Sequence, residues 1–199
     1  MTIKISAAVL CFSLASTICW AAAIKPVEYS VELQKDLEYY SQFSKLYFDR
    51  ERSVFVHKKN GSTIAPDVAL LNCAANGCKE ELAHVLLTKS ADLEYTNQYD
   101  DFSLAMTIRS PHSTHQGAHF TCARLLLACG ANPNRLVKNK CPLIFRAIEV
   151  KDYAVAELLL DAGADVTVWV QQSDYKLDYG ILGYFDYYDD SSAAKQLKK

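Results

Sequence analysis

Apolar residues fall at three- and four-residue steps over much of this chain, the spacing of one helix face. The clearest case is Tyr153 to Leu160, where Ala154, Val155, Leu158 and Leu159 share a side. Leu158-Leu159-Leu160 then runs into Asp161-Ala162-Gly163-Ala164-Asp165-Val166, an apolar stripe followed by a glycine able to close the helix in the left-handed conformation. The same form stands at Leu125 to Pro133 around Gly130, and a weaker copy at Val85 to Leu93 has Ser90 where the glycine belongs. These patterns predict helices over Lys79–Leu87, His119–Ala128 and Tyr153–Leu160. A shorter apolar run precedes each: Ala69–Ala75, Phe102–Ile108, and one ending at Ala147-Ile148-Glu149. Upstream, Val31, Leu33, Leu37, Tyr40, Phe43, Leu46 and Tyr47 continue the helical step, so a leading amphipathic helix is expected. Val54-Phe55-Val56 reads as a short extended segment and Asn60-Gly61-Ser62 as a turn.

The pattern recurs at a fixed interval. Gly130 and Gly163 are 33 positions apart, and the longer step from Ser90 to Gly130 is absorbed by the polar insertion Ser110 to Gly117. A period of 33 built from helix pairs is that of the ankyrin repeat. Cys141-Pro142-Leu143 is similar to the Thr-Pro-Leu of that pattern. In the first unit Ala69-Leu70 stand for Thr-Pro, Asn72 for the His, and Gly77 comes one residue early. The chain therefore resembles the ankyrin repeat family over residues 67–170. The resemblance implies an all-α helix-turn-helix solenoid with repeats at 67–95, 96–134 and 135–170. An N-terminal helical cap at 24–66 and a degenerate C-terminal capping repeat at 171–199 would close its ends. It also implies binding of a protein partner through the concave face, and no reaction.

Residues 1–23 change the setting. Lys4 gives a positive head, Ile5 to Trp20 is mostly apolar, and Ala21-Ala22-Ala23 offers a small-residue cleavage site, the layout of a secretory signal peptide. An exported protein, periplasmic or secreted, is expected, with no stable membrane span after cleavage. The alternative for this segment is an uncleaved anchor helix. The 21 Lys and Arg against 23 Asp and Glu give a formal net charge of −2, which provides no broad basic footprint for nucleic acid. Beyond the leader lie Cys73, Cys78, Cys122, Cys129 and Cys141, an odd set without a Cys-x-x-Cys pair. Cys122 and Cys129 are two helical turns apart, about 10.5 Å, too far to bridge. Most of the five are expected to be small buried thiols.

Candidate chemistry is sparse. His112, His115 and His119 could offer metal ligands, but Pro111 and Gly117 break the helix that would align them, so no metal is assigned. No nucleophile elbow, phosphate loop or zinc-protease motif occurs, and the expectation is a non-enzymatic protein without cofactors. What remains is recognition by a monomer. Tyr99, Asp100, Asp101, Arg109, Lys138, Lys140 and Tyr175 are the expected partner-binding residues, on the fingers and nearby inner-helix ends. Tyr99 and Tyr175 are the expected anchors, since tyrosine is enriched among residues that dominate binding energy. The tyrosines of the tail are assigned to capping instead. The leading function is a protein-binding module; the alternative is a periplasmic inhibitor or immunity protein that neutralises a toxic enzyme.

Overall fold

A computed structural model of the chain describes residues 29–109, 116–137 and 141–167. The signal segment 1–23 and the expected capping repeat 171–199 lie outside the described residues. Among those described, seven helices are accompanied by two small antiparallel sheets. The fold is mixed α/β, which corrects the all-α expectation.

Helix α1 (Val31–Ser41) starts at Ser30, whose hydroxyl accepts the Leu33 N–H at 3.2 Å. Only Leu33 and Leu37 of this helix are buried, and the helix ends at Ser41, short of the expected Tyr47. Val31 and Phe43, two of the positions on the expected apolar stripe, are exposed. The chain then forms an antiparallel meander: β1 (Leu46–Asp49), β2 (Val54–His57) and β3 (Thr63–Ile64). Phe48 lies opposite Phe55 and Phe55 opposite Ile64. Asp49 holds the first turn by accepting the Glu51 and Arg52 N–H groups, both at 3.1 Å. In the second turn, Gly61 sits at φ 68° and its N–H reaches His57 O at 2.9 Å. Pairing won over helix here because Tyr47-Phe48 and Val54-Phe55-Val56 satisfy each other's backbone while Leu46 and Phe55 enter the core.

Three helix pairs follow: α2 (Pro66–Asn76) with α3 (Lys79–Thr88), α4 (Ser103–Met106) with α5 (Gln116–Ala128), and α6 (Leu143–Glu149) with α7 (Tyr153–Asp161). Pro66 opens α2 at a position where its missing N–H costs nothing. Each pair packs on the next, while α1 lies along α3. One continuous core results, with Leu70, Leu82, Phe102, Leu104, Leu125, Leu126, Leu143 and Leu159 fully buried. The second sheet is a minimal ribbon ahead of α6. Its strands β4 (Leu136–Val137) and β5 (Cys141–Pro142) pair with Leu136 opposite Pro142.

Four helix ends share one closure. A residue in the left-handed region donates its N–H three residues back, and the next N–H reaches five back. Gly77, Gly130 and Gly163 do this at φ 66°, 96° and 86°. The fourth is Lys151 at φ 62°, whose N–H meets Ile148 O at 2.9 Å while Asp152 N–H meets Ala147 O at 2.8 Å. The end of α3 also differs from expectation: Lys89, not Ser90, takes the left-handed conformation, at φ 52°.

Candidate functional site: the row of connecting fingers

The segments leaving α3, α5 and α7 are joined by a repeated bonding scheme. Asp92 N–H donates to Asp67 Oδ1 at 2.7 Å, Asn132 N–H to Glu94 Oε1 at 3.0 Å, and Asp165 N–H to Asn134 Oδ1 at 2.6 Å. Each exit residue then accepts the N–H two positions on: Asp92 from Glu94 at 2.9 Å, Asn132 from Asn134 at 2.9 Å, Asp165 from Thr167 at 2.8 Å. These are Asx turns, in which a short side chain replaces a backbone acceptor. Bonds from the Thr167 hydroxyl and N–H hold the exposed Asp165 carboxyl below its ordinary range, so it stays charged.

Arg135 ties the segment leaving α5 to the one leaving α3. Its guanidinium donates to Glu94 O at 2.7 Å, to Glu94 Oε2 at 3.2 Å and to the Thr96 hydroxyl. The same group lies over the Phe102 ring at 4.1 Å, a cation–π contact. From Thr96 the chain enters a five-residue turn closed by Asn97. Asn97 Oδ1 accepts the Tyr99 N–H at 2.8 Å and the Asp101 N–H at 3.0 Å, and its amide donates to Asp101 at 3.2 Å. Asp100 sits within this turn at φ 63°.

The scheme fixes what the fingers show. Tyr99, Leu136 and Val166 are 62%, 46% and 42% exposed, one large apolar side chain on each of three consecutive fingers. Leu136 follows Arg135 and Val166 follows Asp165, so each of these two apolar residues adjoins a residue whose bonds hold its finger in place. A second exposed apolar zone lies at the end of α1. There Tyr39 and Phe43 are each 60% exposed and meet edge to face at 5.9 Å.

Of the expected partner-binding residues, Tyr99, Asp100 and Asp101 come together in the Asn97-closed turn. Arg109 is placed otherwise. Its N–H meets Asp152 at 3.0 Å and its guanidinium meets Ala75 O at 2.8 Å, so it braces helix ends of the first and third pairs. Lys138, Lys140 and Tyr175 lie outside the described residues, as do His112 and His115. Leu136, Val166 and Arg135 were not expected. The signal for them was the recurring Ala-Asp or Ala-Asn after each helix, because the residues just beyond it are the ones the bonds hold in place.

The other polar groups have structural surroundings. His119 is buried, with Nδ1 3.1 Å from Ala74 O. His84 packs edge-on to Phe55 at 5.7 Å. Burial, aided by Lys58, lowers its pKa from the ordinary value of 6.5. Cys73, Cys78, Cys122, Cys129 and Cys141 carry free thiols, three of them buried. Among the described residues no three His, Cys, Asp or Glu side chains gather as metal ligands, and no helix is long and apolar enough to cross a membrane. No protein-family model matches this chain, and no curated protein matches it.

Proposed function

We propose that the chain is a non-enzymatic protein-binding module of ankyrin type, exported behind its signal peptide and monomeric in its mature form. It holds a protein partner against its finger row. The reading is carried by one observation: Tyr99, Leu136 and Val166 stay exposed on consecutive fingers whose backbone donors are already satisfied by neighbouring side chains. Such a surface is ordered before binding, so association costs less in lost freedom. Stacked helix pairs with matching left-handed closures support the ankyrin-type reading, and the meander β1–β3 takes the place of a purely helical N-terminal cap.

Affinity capture with the mature chain, followed by calorimetry on the recovered partner, tests this. Tyr99→Ala and Leu136→Ala should each weaken binding by about 2 kcal/mol, roughly 30-fold, if they are anchors. Their melting temperatures should stay close to the parent's, as is usual for exposed positions. The reading fails if both variants bind like the parent while Tyr39→Ala or Phe43→Ala abolishes binding. That result would move the interface to the end of α1.

A further inference from the structure

We propose that Cys78 and Cys122 form an oxidation site, in which Cys78 reacts with a small-molecule disulfide and Cys122 resolves the mixed disulfide. The bridge would tie the first helix pair to the second.

The geometry starts at Gly77. A Cβ built there would lie 3.3 Å from Ala118 Cβ and 3.3 Å from His119 Nε2, so the α2–α3 turn rests directly on α5. Cys78 is the next residue and precedes the first turn of α3. Cys122 stands four residues beyond Ala118, one helical turn along α5 on the same side. The surroundings of the two thiols agree with that placement. Burial pushes Cys122 up to about 12, with Cys78, Glu80 and Glu81 adding to the rise and Lys79 opposing it. Three of these residues belong to the first turn of α3, and Cys78 caps it. Cys78 is raised by burial and by Glu81 and Glu80, with Lys45 opposing.

Access divides the roles. Cys78 is partly exposed, whereas Cys122 is buried and closed to a reagent in solution. The Cys78 thiolate attacks one sulfur of the reagent, a mixed disulfide forms, and one reagent thiolate leaves with the Cys78 proton. Cys122 then attacks the Cys78 sulfur, the second reagent thiolate leaves with the Cys122 proton, and the Cys78–Cys122 bond is complete. Two protein thiols are oxidised and one reagent disulfide is reduced to two thiols. Because both thiols are held protonated, the reaction is slow near neutrality and accelerates as pH rises.

The test uses the reduced mature chain, without residues 1–23, incubated with oxidised glutathione at pH 8.5 and followed by intact mass and peptide mapping. The expected product has lost two hydrogens and yields a peptide linking Cys78 to Cys122, with Cys73, Cys129 and Cys141 still free. Its melting temperature should rise by about 10 °C, because the bridge closes a long loop. In Cys122→Ala, checked for native circular dichroism, the glutathione adduct should persist on Cys78. A Cys73–Cys78 bridge, an adduct that persists on Cys78 in the parent chain, or no reaction at Cys78 would each overturn the proposal.

Discussion

Lys151 offers a direct test of the shared helix closure. It takes the position that Gly77, Gly130 and Gly163 fill elsewhere, at φ 62° and with the same two backward hydrogen bonds. A side chain in the left-handed region costs about 1–2 kcal/mol, because Cβ crowds the following carbonyl. Glycine removes that cost but returns roughly 0.4–1 kcal/mol through the greater freedom of its unfolded chain. Lys151→Gly should therefore stabilise the fold by about 0.5–1 kcal/mol. The lysine charge is lost as well, a change of a few tenths of a kcal/mol at an exposed position. Lys151→Ala separates the two effects, since it loses the same charge and keeps the Cβ. Urea unfolding followed by circular dichroism should place Lys151→Gly above Lys151→Ala by about 1 kcal/mol at an unchanged slope, or about 2–4 °C in melting temperature. A Lys151→Gly variant less stable than Lys151→Ala by roughly 0.4–1 kcal/mol, the entropy cost of glycine alone, would show that the left-handed conformation at Lys151 carries no strain, and the closure argument would fall.

Two further predictions follow from the same geometry. Gly77→Ala should destabilise more than Gly163→Ala by about 1–3 kcal/mol, because a Cβ at Gly77 meets Ala118 and His119 at 3.3 Å while Gly163 has open space; equal losses in thermal melts would refute it. His84 should make stability depend on pH. Its folded pKa lies below the ordinary 6.5, so the unfolded chain binds more protons between the two values and stability rises with pH there. The contribution is complete above about pH 7 and is lost as pH falls from 6.5 through the folded pKa. The stability difference between the parent and His84→Leu should change across that window and be flat above it. A difference that stays constant from pH 8 to pH 5 would remove His84 from the acid response.

The longer helices were legible for a reason that also explains the misses. Leucine runs ending at Gly130 and Gly163 carry both a period and a stop, so α5 and α7 end where, or one residue beyond where, the pattern places them. Helix α4 is shorter than its apolar run. Thr107, just past its end, donates its hydroxyl to Leu104 O at 2.7 Å, a local bond that competes with the helix ladder. The strands β3, β4 and β5 have two residues each, too few to show alternation. Strand β1 was hidden because Phe43, Leu46 and Tyr47 happen to continue the step of α1. Arg109 could not be placed from sequence, since its partners Ala75 and Asp152 are 34 and 43 residues away.

The candidate site shows the same limit from the other side. Tyr99 was legible because a tyrosine in a polar turn stands out. Leu136 and Val166 were not, because an apolar residue beside a helix is assigned inward unless something holds it out. What holds them out is polar: Arg135 fastened to Glu94 and Thr96, and Asn134 accepting from Asp165 while donating to Gly163 O at 3.1 Å. Each bond spans two fingers, so a change in one finger is felt in the next rather than absorbed locally. If the row binds a partner, Asn134→Ala should then act differently from Leu136→Ala. Losing Leu136 removes a contact and leaves the row in order. Losing Asn134 frees the Asp165 N–H and lets the Val166 finger move, so the partner must pay for ordering it on binding. Leu136→Ala should thus reduce favourable binding enthalpy or apolar burial, whereas Asn134→Ala should reduce affinity mainly through entropy while faster hydrogen exchange appears at Asp165 and Thr167. If Asn134→Ala leaves exchange at Asp165 unchanged, the bonds do not set the order of the row, and preorganisation is not what the fingers contribute.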